Sequence, residues 1–576
     1  MTAVTAGQAR TRQAPASEPG AAAAQAAAGG VAATYHARQM LARAHWAADA
    51  FASYDRESVL RIAGAVAGAA HARARKYAEW AVSETGFGVV EHKIVKNEAC
   101  SSGIFERYRD EDYVSPRADP DSKIVSLPRP AGVVLALTPS TNPVCSVFFK
   151  IIIALLTRNA IVISPHPMAR ECCTDAAATL AGIAVEAGAP DGIIQIVANA
   201  TVPLIEALMA DPVTDVIVAT GGTPVVRAAH RSGNPALGVG PGNVPVLVDA
   251  TADLPAAARR ITASKAFDNS VLCTSESVLI AQESIADRLL KELRQQHAAV
   301  LGEQDTARLR GYLFPDGRLN ATAIGKDATW IAAQAGVRVP PQAKVLVTPI
   351  ERVADEELLA HEKLSPVLAL VKADTAARGI EAARAVVRLG GAGHSAAIHS
   401  RDPGTILRFG ARVPVLRVSV NVGNSTGSSG LETGLAPSMT LGTGFVGRSS
   451  IGENLEPRHL VNWTRIAYNS SADVPFDDFA GIGVTAAPGG PVPRYPHASN
   501  LPAAGAGGTW ASGTWAAGSG SGPAGAAPTG DEGRDPPPGY AAALAARADT
   551  DDGEIPEAVR EQLRALIVEE LRALVR

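Results

Sequence analysis

Short runs of aliphatic residues alternate with helical stretches between Val133 and Asp249, and this rhythm constrains the fold more than any other feature. Successive strands joined by helices run parallel, because each crossover helix returns the chain to the starting edge of the sheet. The segment therefore predicts a parallel, doubly wound α/β sheet. In chain order the elements are VVLALT, a helix near 144–157, AIVIS, a helix near 169–187, IIQIV, a helix near 202–210, DVIVA, a helix near 224–231, and VPVLVD.

The flanking segments predict further domains. Apolar positions at helical spacing indicate two or three packed helices between Tyr35 and Glu84. A second α/β stretch, from about Leu254 to Ser450, contains strand-like SVLIA, KVLVT, VLALV and SAAIHS and predicts a separate lobe. Residues 1–33 are rich in Ala, Gly, Gln and Pro and have almost no large apolar side chains, so we expect them to stay flexible.

The composition changes near the C-terminus. Residues 481–555 are dominated by Gly, Ala, Pro and Ser, which predicts a disordered linker. In Pro556–Arg576 an apolar pattern returns, with one stripe of an amphipathic helix formed by Val559, Leu563, Leu566, Ile567, Leu571, Leu574 and Val575. Acidic and basic side chains balance there, so a protein groove is a better partner than an anionic membrane. We predict a tethered docking helix, and a helix that folds back on its own chain or pairs in a coiled coil is the alternative.

Charge and cysteine usage exclude several classes of protein. The chain has 53 basic and 57 acidic side chains, which argues against a nucleic-acid binder or a polybasic membrane anchor. Its longest dense apolar run, Val147–Leu156, is far shorter than the roughly 20 residues of a membrane helix, and residues 1–30 lack the apolar core of a signal peptide. Five cysteines without repeated spacing fit a reduced cytoplasmic protein without a metal site.

Three segments carry side chains suited to covalent catalysis. Cys273 lies in FDNSVLCTSES, between a turn-prone stretch and the strand-like SVLIA, and a cysteine thiolate is a nucleophile. In TPSTNP, which follows a strand and opens a helix, the Asn142 carboxamide can donate hydrogen bonds to an oxyanion. HEKLSP places Glu362 in a loop before another strand. A lone cysteine normally packs in a core and a lone glutamate is normally solvated, so only the combination indicates a site.

In this order and spacing, the three segments resemble the aldehyde dehydrogenase superfamily over roughly residues 35–475. Other segments resemble its coenzyme-A-acylating branch, which includes the aldehyde half of bifunctional aldehyde-alcohol dehydrogenases and the microcompartment enzymes; they are FKIIIALLTRNAIVISPHP, ATGG, GVGPGNVP, GGAGH and LAPSMTLGTG. The resemblance implies a Rossmann-like cofactor domain (34–248), an α/β catalytic domain (249–450) and a small β oligomerisation extension (451–480, with strands from 113–130 and 457–475). WTRIAYN would be an edge strand that pairs between subunits of a homodimer or dimer of dimers.

The resemblance also implies a mechanism. Cys273 would attack the carbonyl of a short aldehyde, propionaldehyde or acetaldehyde, and the resulting oxyanion would be held by Asn142 and the Cys273 backbone N–H. Loss of hydride to a nicotinamide would leave a thioester on Cys273. Glu362 matches the family glutamate that holds the hydroxyls of the nicotinamide ribose.

One departure from the superfamily pattern decides the expected product. Hydrolytic members carry a water-activating glutamate in the segment equivalent to Gly238–Asn243, and this chain has no carboxylate there. We therefore expect transfer of the acyl group to coenzyme A. The alternatives are a hydrolytic enzyme that releases a free acid and a non-catalytic microcompartment assembly protein. A sulfoacetaldehyde or succinate-semialdehyde enzyme would want a cation at the pocket, which the sequence does not place.

The cofactor is expected where strands end. In ATGGTPVV, Gly221 and Thr223 meet the family's Gly-x-Thr-x-x-Gly pattern, whose last position here is Val226. Thr223 before a proline predicts a helix N-cap with free N–H groups for a pyrophosphate.

The segment SPHP, which follows the strand-like AIVIS earlier in the chain, supplies Ser164 and Pro165 to the predicted cofactor site. Ser164 and Pro167 occupy the family's ribose-reading lysine and glutamate positions, which removes the usual carboxylate clash with a 2′-phosphate. We expect NAD as cofactor, with NADP open, and coenzyme A as co-substrate.

Two further residues are candidates for the substrate or coenzyme channel. His394 in GGAGHSAA fits the acylating branch, and a histidine that caps a glycine-rich turn is the alternative. Cys145 lies three residues beyond Asn142, and simple packing is its alternative.

The C-terminal segment resembles the encapsulation peptides of bacterial microcompartment enzymes. This resemblance implies that the segment 556–576 binds shell or cargo proteins and that the enzyme works in the microcompartment lumen within the cytoplasm.

Overall fold

The computed structural model describes residues 19–496, and for residues 19–29 it describes only the backbone. The described chain begins with helices that pack around Leu41, Phe51 and Tyr77, all fully buried, which confirms the helices predicted between Tyr35 and Glu84. These elements and the two strands that follow are α1 (Pro19–Ala52), α2 (Arg56–Ala72), α3 (Ala74–Thr85), α4 (Val90–Glu98), α5 (Ile104–Tyr108), β1 (Arg117–Asp119) and β2 (Ile124–Pro130).

The first helix begins earlier than the sequence predicts. Residues 19–33 belong to α1, so the prediction of a flexible segment over 1–33 is wrong for this part. Alanine has the highest helix propensity and proline fits the first helical turn, so an alanine-rich segment can extend a helix whose buried positions begin only at Ala37. Residues 1–18 lie outside the described part of the chain.

The predicted α/β alternation forms a parallel five-stranded sheet with strand order β5-β4-β3-β6-β7. The chain moves outward from β3 to β5 and then crosses back to β6, so the order reverses between β3 and β6, and open α/β sheets bind ligands at such a reversal. The elements are β3 (Val133–Leu137), α6 (Pro143–Leu156), β4 (Ala160–Ser164), α7 (Arg170–Glu186), β5 (Ile194–Ile196), α8 (Val202–Ala210), β6 (Val216–Thr220), α9 (Thr223–Arg231) and β7 (Ala236–Val239).

A second parallel sheet has seven strands in the order β10-β11-β12-β9-β8-β13-β14. Its strands are buried aliphatic runs flanked by helices, as predicted for the second lobe. The elements are β8 (Val244–Val248), α10 (Leu254–Ala266), β9 (Glu276–Gln282), α11 (Glu283–Gln295), β10 (Ala298–Val300), α12 (Glu303–Leu313), α13 (Ala328–Gln334), β11 (Val345–Pro349), β12 (Val367–Ala373), α14 (Ala376–Leu389), β13 (Ala396–His399), α15 (Pro403–Arg412), β14 (Val418–Val420) and α16 (Asn424–Gly427).

The border between the two sheets differs from the predicted one. The run VPVLV is β8, which pairs with β9 and β13 and not with the first sheet, so the border predicted at residue 248 is wrong. The edge strand of the first sheet on this side is instead β7. Its four-residue, glycine-containing sequence ALGV has only a weak strand pattern. The connection between the sheets is therefore residues 240–243.

The predicted β extension is a three-stranded antiparallel sheet of order β1-β2-β15, where β15 spans Val461–Ala467. This confirms the strands expected from 113–130 and 457–475 and the position of WTRIAYN at an edge.

The linker prediction is wrong for residues 481–496, which run along the body. Ala486 exchanges backbone hydrogen bonds with Ser53 and Asp55, Asp191 donates its N–H to Pro493 O, and the rings of Trp46 and Tyr495 lie 5.8 Å apart. Main-chain bonds and one aromatic contact hold a segment whose composition indicated a linker. Residues 497–555 and the predicted helix 556–576 lie outside the described residues.

Within residues 19–496, no helix combines the length and hydrophobicity that crossing a membrane requires. The same described range contains no group of three His, Cys, Asp or Glu side chains arranged to hold a metal ion.

Candidate active site

Cys273 follows a tight left-handed turn at the end of α10. Asp268, Asn269 and Ser270 have φ angles of 49°, 52° and 62°, a conformation that Asp and Asn tolerate better than most residues. The turn is held by the Asp268 N–H, which donates to His92 Nδ1 (2.9 Å), and by Asn269 Nδ2, which donates to Gly325 O (2.9 Å). Among the cysteines, Cys273 is partly exposed while the other four are buried. This turn presents the predicted nucleophile.

Gly242 is the point where three of the predicted site residues meet. A Cβ atom at this glycine would lie 2.0 Å from the Cys273 carbonyl oxygen and 3.5 Å from Cε1 of His394. The Gly242 N–H also donates to the Glu362 carboxylate. The segment GVGPGN therefore packs against the main chain of the loop that carries Cys273, and it contributes no ionisable side chain there.

The surroundings of Cys273 favour the neutral thiol. Burial raises its pKa to about 12, and the charge of Glu362 adds to this rise, whereas Arg417 and Lys96 oppose it. Burial likewise raises the pKa of Glu362 to about 8, against the lowering effects of the Gly242 N–H, Lys265 and Lys363. The two groups are thus electrostatically coupled.

This coupling predicts a pH-dependent effect of Glu362→Gln on Cys273 alkylation. Below about pH 8 the Glu362 carboxyl is protonated, and variant and wild type should react with iodoacetamide at equal rates. Above that pH the carboxylate raises the pKa of Cys273 in the wild type only, so the variant should react about three- to tenfold faster at pH 9.5. Peptide mass spectrometry at Cys273 measures both rates, and a ratio that does not change with pH would contradict the coupling.

Asn142 caps the start of α6, on the loop that follows β3. Its Oδ1 accepts a hydrogen bond from Lys96 Nζ (2.6 Å), and its Nδ2 donates to Thr141 Oγ1 (3.2 Å). Cys145 lies one helical turn further, with its Sγ donating to Asn142 O (3.5 Å), and both line a small internal cavity. A contact with Cys100 and the charges of Lys96 and Lys93 lower the pKa of Cys145 to about 7 despite its burial.

His394 is fully buried beside this site. Its Nδ1 lies 3.0 Å from Ser395 Oγ, and Nε2 has no hydrogen-bond partner among the described residues. Burial, with the neighbouring Arg417, lowers the pKa of His394 to about 3, so the ring is neutral. Arg417 donates to the backbone carbonyls of His394, Gly393 and Gly442. Arg417 is thus a cation within electrostatic range of Cys273. The sequence does not predict this cation, because an arginine in LRVSV belongs to no recognisable motif.

The predicted cofactor residues follow neighbouring strands of the first sheet. Ser164 ends β4 with Pro165 after it, and Gly221 and Thr223 follow β6. Because β4, β3 and β6 are parallel neighbours, these residues and the Asn142 loop share the carboxyl edge of the sheet, at the order reversal.

The N-cap prediction at Thr223 is wrong by one residue. The N-cap is Gly222, whose extended backbone precedes the helix, and Thr223 is the first residue of α9. Gly222 and Thr223 are exposed, and the helix N-terminus offers backbone N–H groups to a bound anion. The residues present therefore fit the pyrophosphate of a dinucleotide.

Comparison with known proteins gives consistent matches. The model of the aldehyde dehydrogenase family matches residues 8–456. The aldehyde-alcohol dehydrogenase of Clostridium acetobutylicum is 38% identical over 72% of this chain, which spans only 49% of that protein. The succinate-semialdehyde dehydrogenase (acetylating) of Clostridium kluyveri is 36% identical over 76% of this chain and 97% of that protein.

Solved structures agree with these matches. An acetylating aldehyde dehydrogenase from Geobacillus thermoglucosidasius matches with a TM-score of 0.75 and 36% identity over 77% of this chain and 98% of the other. A propionaldehyde dehydrogenase from the fucose utilisation bacterial microcompartment of Clostridium phytofermentans matches with a TM-score of 0.68 and 26% identity over 76% and 98%.

Proposed function

Because the chain belongs to the aldehyde dehydrogenase family, we propose that it is a coenzyme-A-acylating aldehyde dehydrogenase that converts a short aliphatic aldehyde to an acyl-coenzyme A. The observation that carries this proposal is the contact between Gly242 and Cys273. The contact is with the Cys273 carbonyl oxygen, so the segment Gly238–Asn243 brings no ionisable side chain to the nucleophile's loop, whereas a hydrolytic enzyme needs a base to activate water. A thioester on Cys273 would then persist until a second thiol attacks it.

The residues of the site support the first half of such a reaction. The Cys273 thiol gives its proton to solvent, the resulting thiolate adds to the aldehyde carbonyl, and the Asn142 amide donates to the oxygen that becomes negative. A nicotinamide nucleotide, when bound, accepts the hydride that leaves the former aldehyde carbon. NAD is the proposed acceptor, and NADP is the alternative.

The second half exchanges one thioester for another. The coenzyme A thiolate attacks the acyl carbon, the bond to Cys273 Sγ breaks, and the cysteine leaves as a thiolate. Similarity to acetylating enzymes at 36% identity supports this step. Above about pH 8, where its carboxyl is ionised, Glu362 favours the neutral form of the free enzyme's thiol.

We predict that NADH formation with propionaldehyde or acetaldehyde depends on coenzyme A. Steady-state turnover should fall at least about 100-fold when coenzyme A is left out, because an unassisted water attacks a thioester slowly. Absorbance at the NADH band with product identification by mass spectrometry measures it. Equal turnover with release of a free acid would contradict the proposal, because it would mean that the enzyme supplies water with a base.

We further propose that the segment 556–576 docks on shell or cargo proteins of a bacterial microcompartment. Its apolar stripe with balanced charge supports this, as does similarity to a microcompartment propionaldehyde dehydrogenase. Microcompartment localisation and the identity of the aldehyde form part of the same proposal.

Deleting residues 556–576 should leave kcat and KM within about twofold, since a tethered helix contributes nothing to the site, but should abolish co-purification with shells. Pull-down of the full-length and shortened chains with intact microcompartments measures this. A shortened chain that loses activity or unfolds would show that the segment belongs to the body.

We propose that β15 pairs across a subunit interface and makes the enzyme a homodimer or a dimer of dimers. The strand lies at the edge of its sheet, where its outer backbone groups can bind another strand.

A further inference from the structure

Two lysines and one aspartate form a buried charge cluster behind the site. Lys93 and Lys96 lie one turn apart on α4, with side chains 3% and 1% exposed, and both contact Asp268, which is fully buried. Each buried ion costs several kcal/mol of desolvation, which pairing offsets only in part. Such a cluster contributes little to the free energy of unfolding, and its position beside the turn that leads to Cys273 points to a functional use.

Both lysines connect the same two loops. Lys93 Nζ donates to Asp268 Oδ2 (3.1 Å) and to the backbone oxygen of Thr141 (3.2 Å). Lys96 Nζ contacts Asp268 Oδ2 and donates to Asn142 Oδ1 (2.6 Å). One loop carries Asn142 and the other leads to Cys273. The two lysines differ in what they bind on the Asn142 loop. Lys93 binds a main-chain oxygen, whereas Lys96 binds the Asn142 side chain that would bind the oxyanion.

The contact with Lys96 decides which end of the Asn142 amide is available. An ammonium group has only donors, so it can donate to the oxygen end of a carboxamide but repels the NH₂ end. Nδ2 is therefore turned away from Lys96, where one of its two N–H groups binds Thr141 Oγ1 and the other is left for an acceptor in the site.

Asp268 anchors the lysine head group. Its Oδ1 accepts the Val89 N–H (2.7 Å), and Gly88 allows this approach because a Cβ there would lie 2.1 Å from the same oxygen. Although burial acts to raise it, the pKa of Asp268 is lowered by Lys96 and Lys93, so the carboxylate stays ionised.

We propose that Lys96, anchored by Asp268, is a positioning residue that fixes the Asn142 amide with Nδ2 toward the oxyanion. This inference rests on the proposed function and adds a residue to its machinery. Lys96 acts mainly through Asn142, because its direct effect on the pKa of Cys273 is minor, so its removal should cost much more rate while Asn142 is present.

A double-mutant cycle tests this dependence. Asn142→Ala should lower kcat about 10²- to 10³-fold, as expected for loss of an oxyanion donor, and Lys96→Met should lower kcat about 10- to 100-fold with KM changed less than about threefold. In the Asn142→Ala background, Lys96→Met should lower kcat by less than about threefold. If Lys96→Met does not fold, the same cycle with the polar Lys96→Gln decides the question.

Lys93→Met is the matched control, because it cuts a bridge between the same loops without touching the Asn142 side chain. Its effects on kcat should multiply with those of Asn142→Ala. If the effects of Lys96→Met or Lys96→Gln also multiply fully, Lys96 is merely structural and the inference fails while the wild-type activity stands. A wild type that forms no NADH from any aldehyde overturns the proposed function, and this inference with it.

Discussion

Replacing Cys273 by alanine is expected to abolish aldehyde-dependent NADH formation, with a loss of about 10⁴-fold or more in kcat. Without the sulfur no covalent adduct forms, and hydride leaves the carbon of that adduct and not the carbon of the free aldehyde. The other four cysteines are all buried, which limits their access to an aldehyde. The measurement is single-turnover NADH formation with enzyme in excess over aldehyde, which detects even one slow event.

Cys172→Ala is the control for the loss of a thiol. Cys172 is fully buried, with its Sγ donating to Ala169 O (3.6 Å) at the start of α7, so its removal should leave kcat within about twofold. More than about 1% of wild-type kcat in Cys273→Ala would assign the chemistry to another group.

Gly242→Ala should lower kcat/KM at least about 100-fold in a protein that still folds. The new Cβ would lie 2.0 Å from the Cys273 oxygen and 3.1 Å from its carbonyl carbon, and main-chain atoms cannot rotate away as a side chain can. The nucleophile's loop must shift, and a displacement of about 1 Å is enough to cost 10²-fold in rate. Overpacking of this kind also costs about 1–3 kcal/mol of stability.

Gly240→Ala is a matched control two residues away in the same segment. A Cβ there meets no atom within 4 Å, so kcat/KM and Tm should stay close to those of the wild type. Steady-state kinetics and thermal unfolding of the two variants give the comparison. If Gly242→Ala keeps kcat/KM within threefold of the wild type, the segment does not hold Cys273 in place.

Most of the fold follows from local pattern, and pairing between distant segments does not. The aliphatic runs of β3, β4 and β6 identify themselves because strands buried on both faces need such residues. VPVLV has the same pattern, yet it joins the second sheet, since the choice between two sheets depends on partners 30 to 150 residues away. Residues 481–496 are a second example of pairing that the local sequence does not predict. Their hydrogen bonds to the body are made by main-chain groups, which are the same whatever the composition of the segment.

The site divides in a similar way. Cys273, Asn142 and Glu362 could be proposed as site residues because each residue type has a distinct chemistry in a recognisable segment, and their roles stay predictions. Lys96 could not, because a lysine in VEHKIVKNE is normally solvated, and only the tertiary fold brings Asp268 and Asn142 to it. The sequence shows that the segment Gly238–Asn243 lacks a carboxylate, whereas the contact of Gly242 with the Cys273 backbone depends on how two loops meet.

The central claim is that an acyl group waits on Cys273 for coenzyme A, and intact-protein mass spectrometry tests it most directly. Wild-type enzyme mixed with NAD and propionaldehyde, without coenzyme A, should gain one propionyl group per chain, located by peptide mapping at Cys273. Addition of coenzyme A should remove the group and produce propionyl-coenzyme A in equal amount. An enzyme that produces NADH repeatedly without accumulating the adduct, or an adduct that coenzyme A does not remove, would contradict the claim.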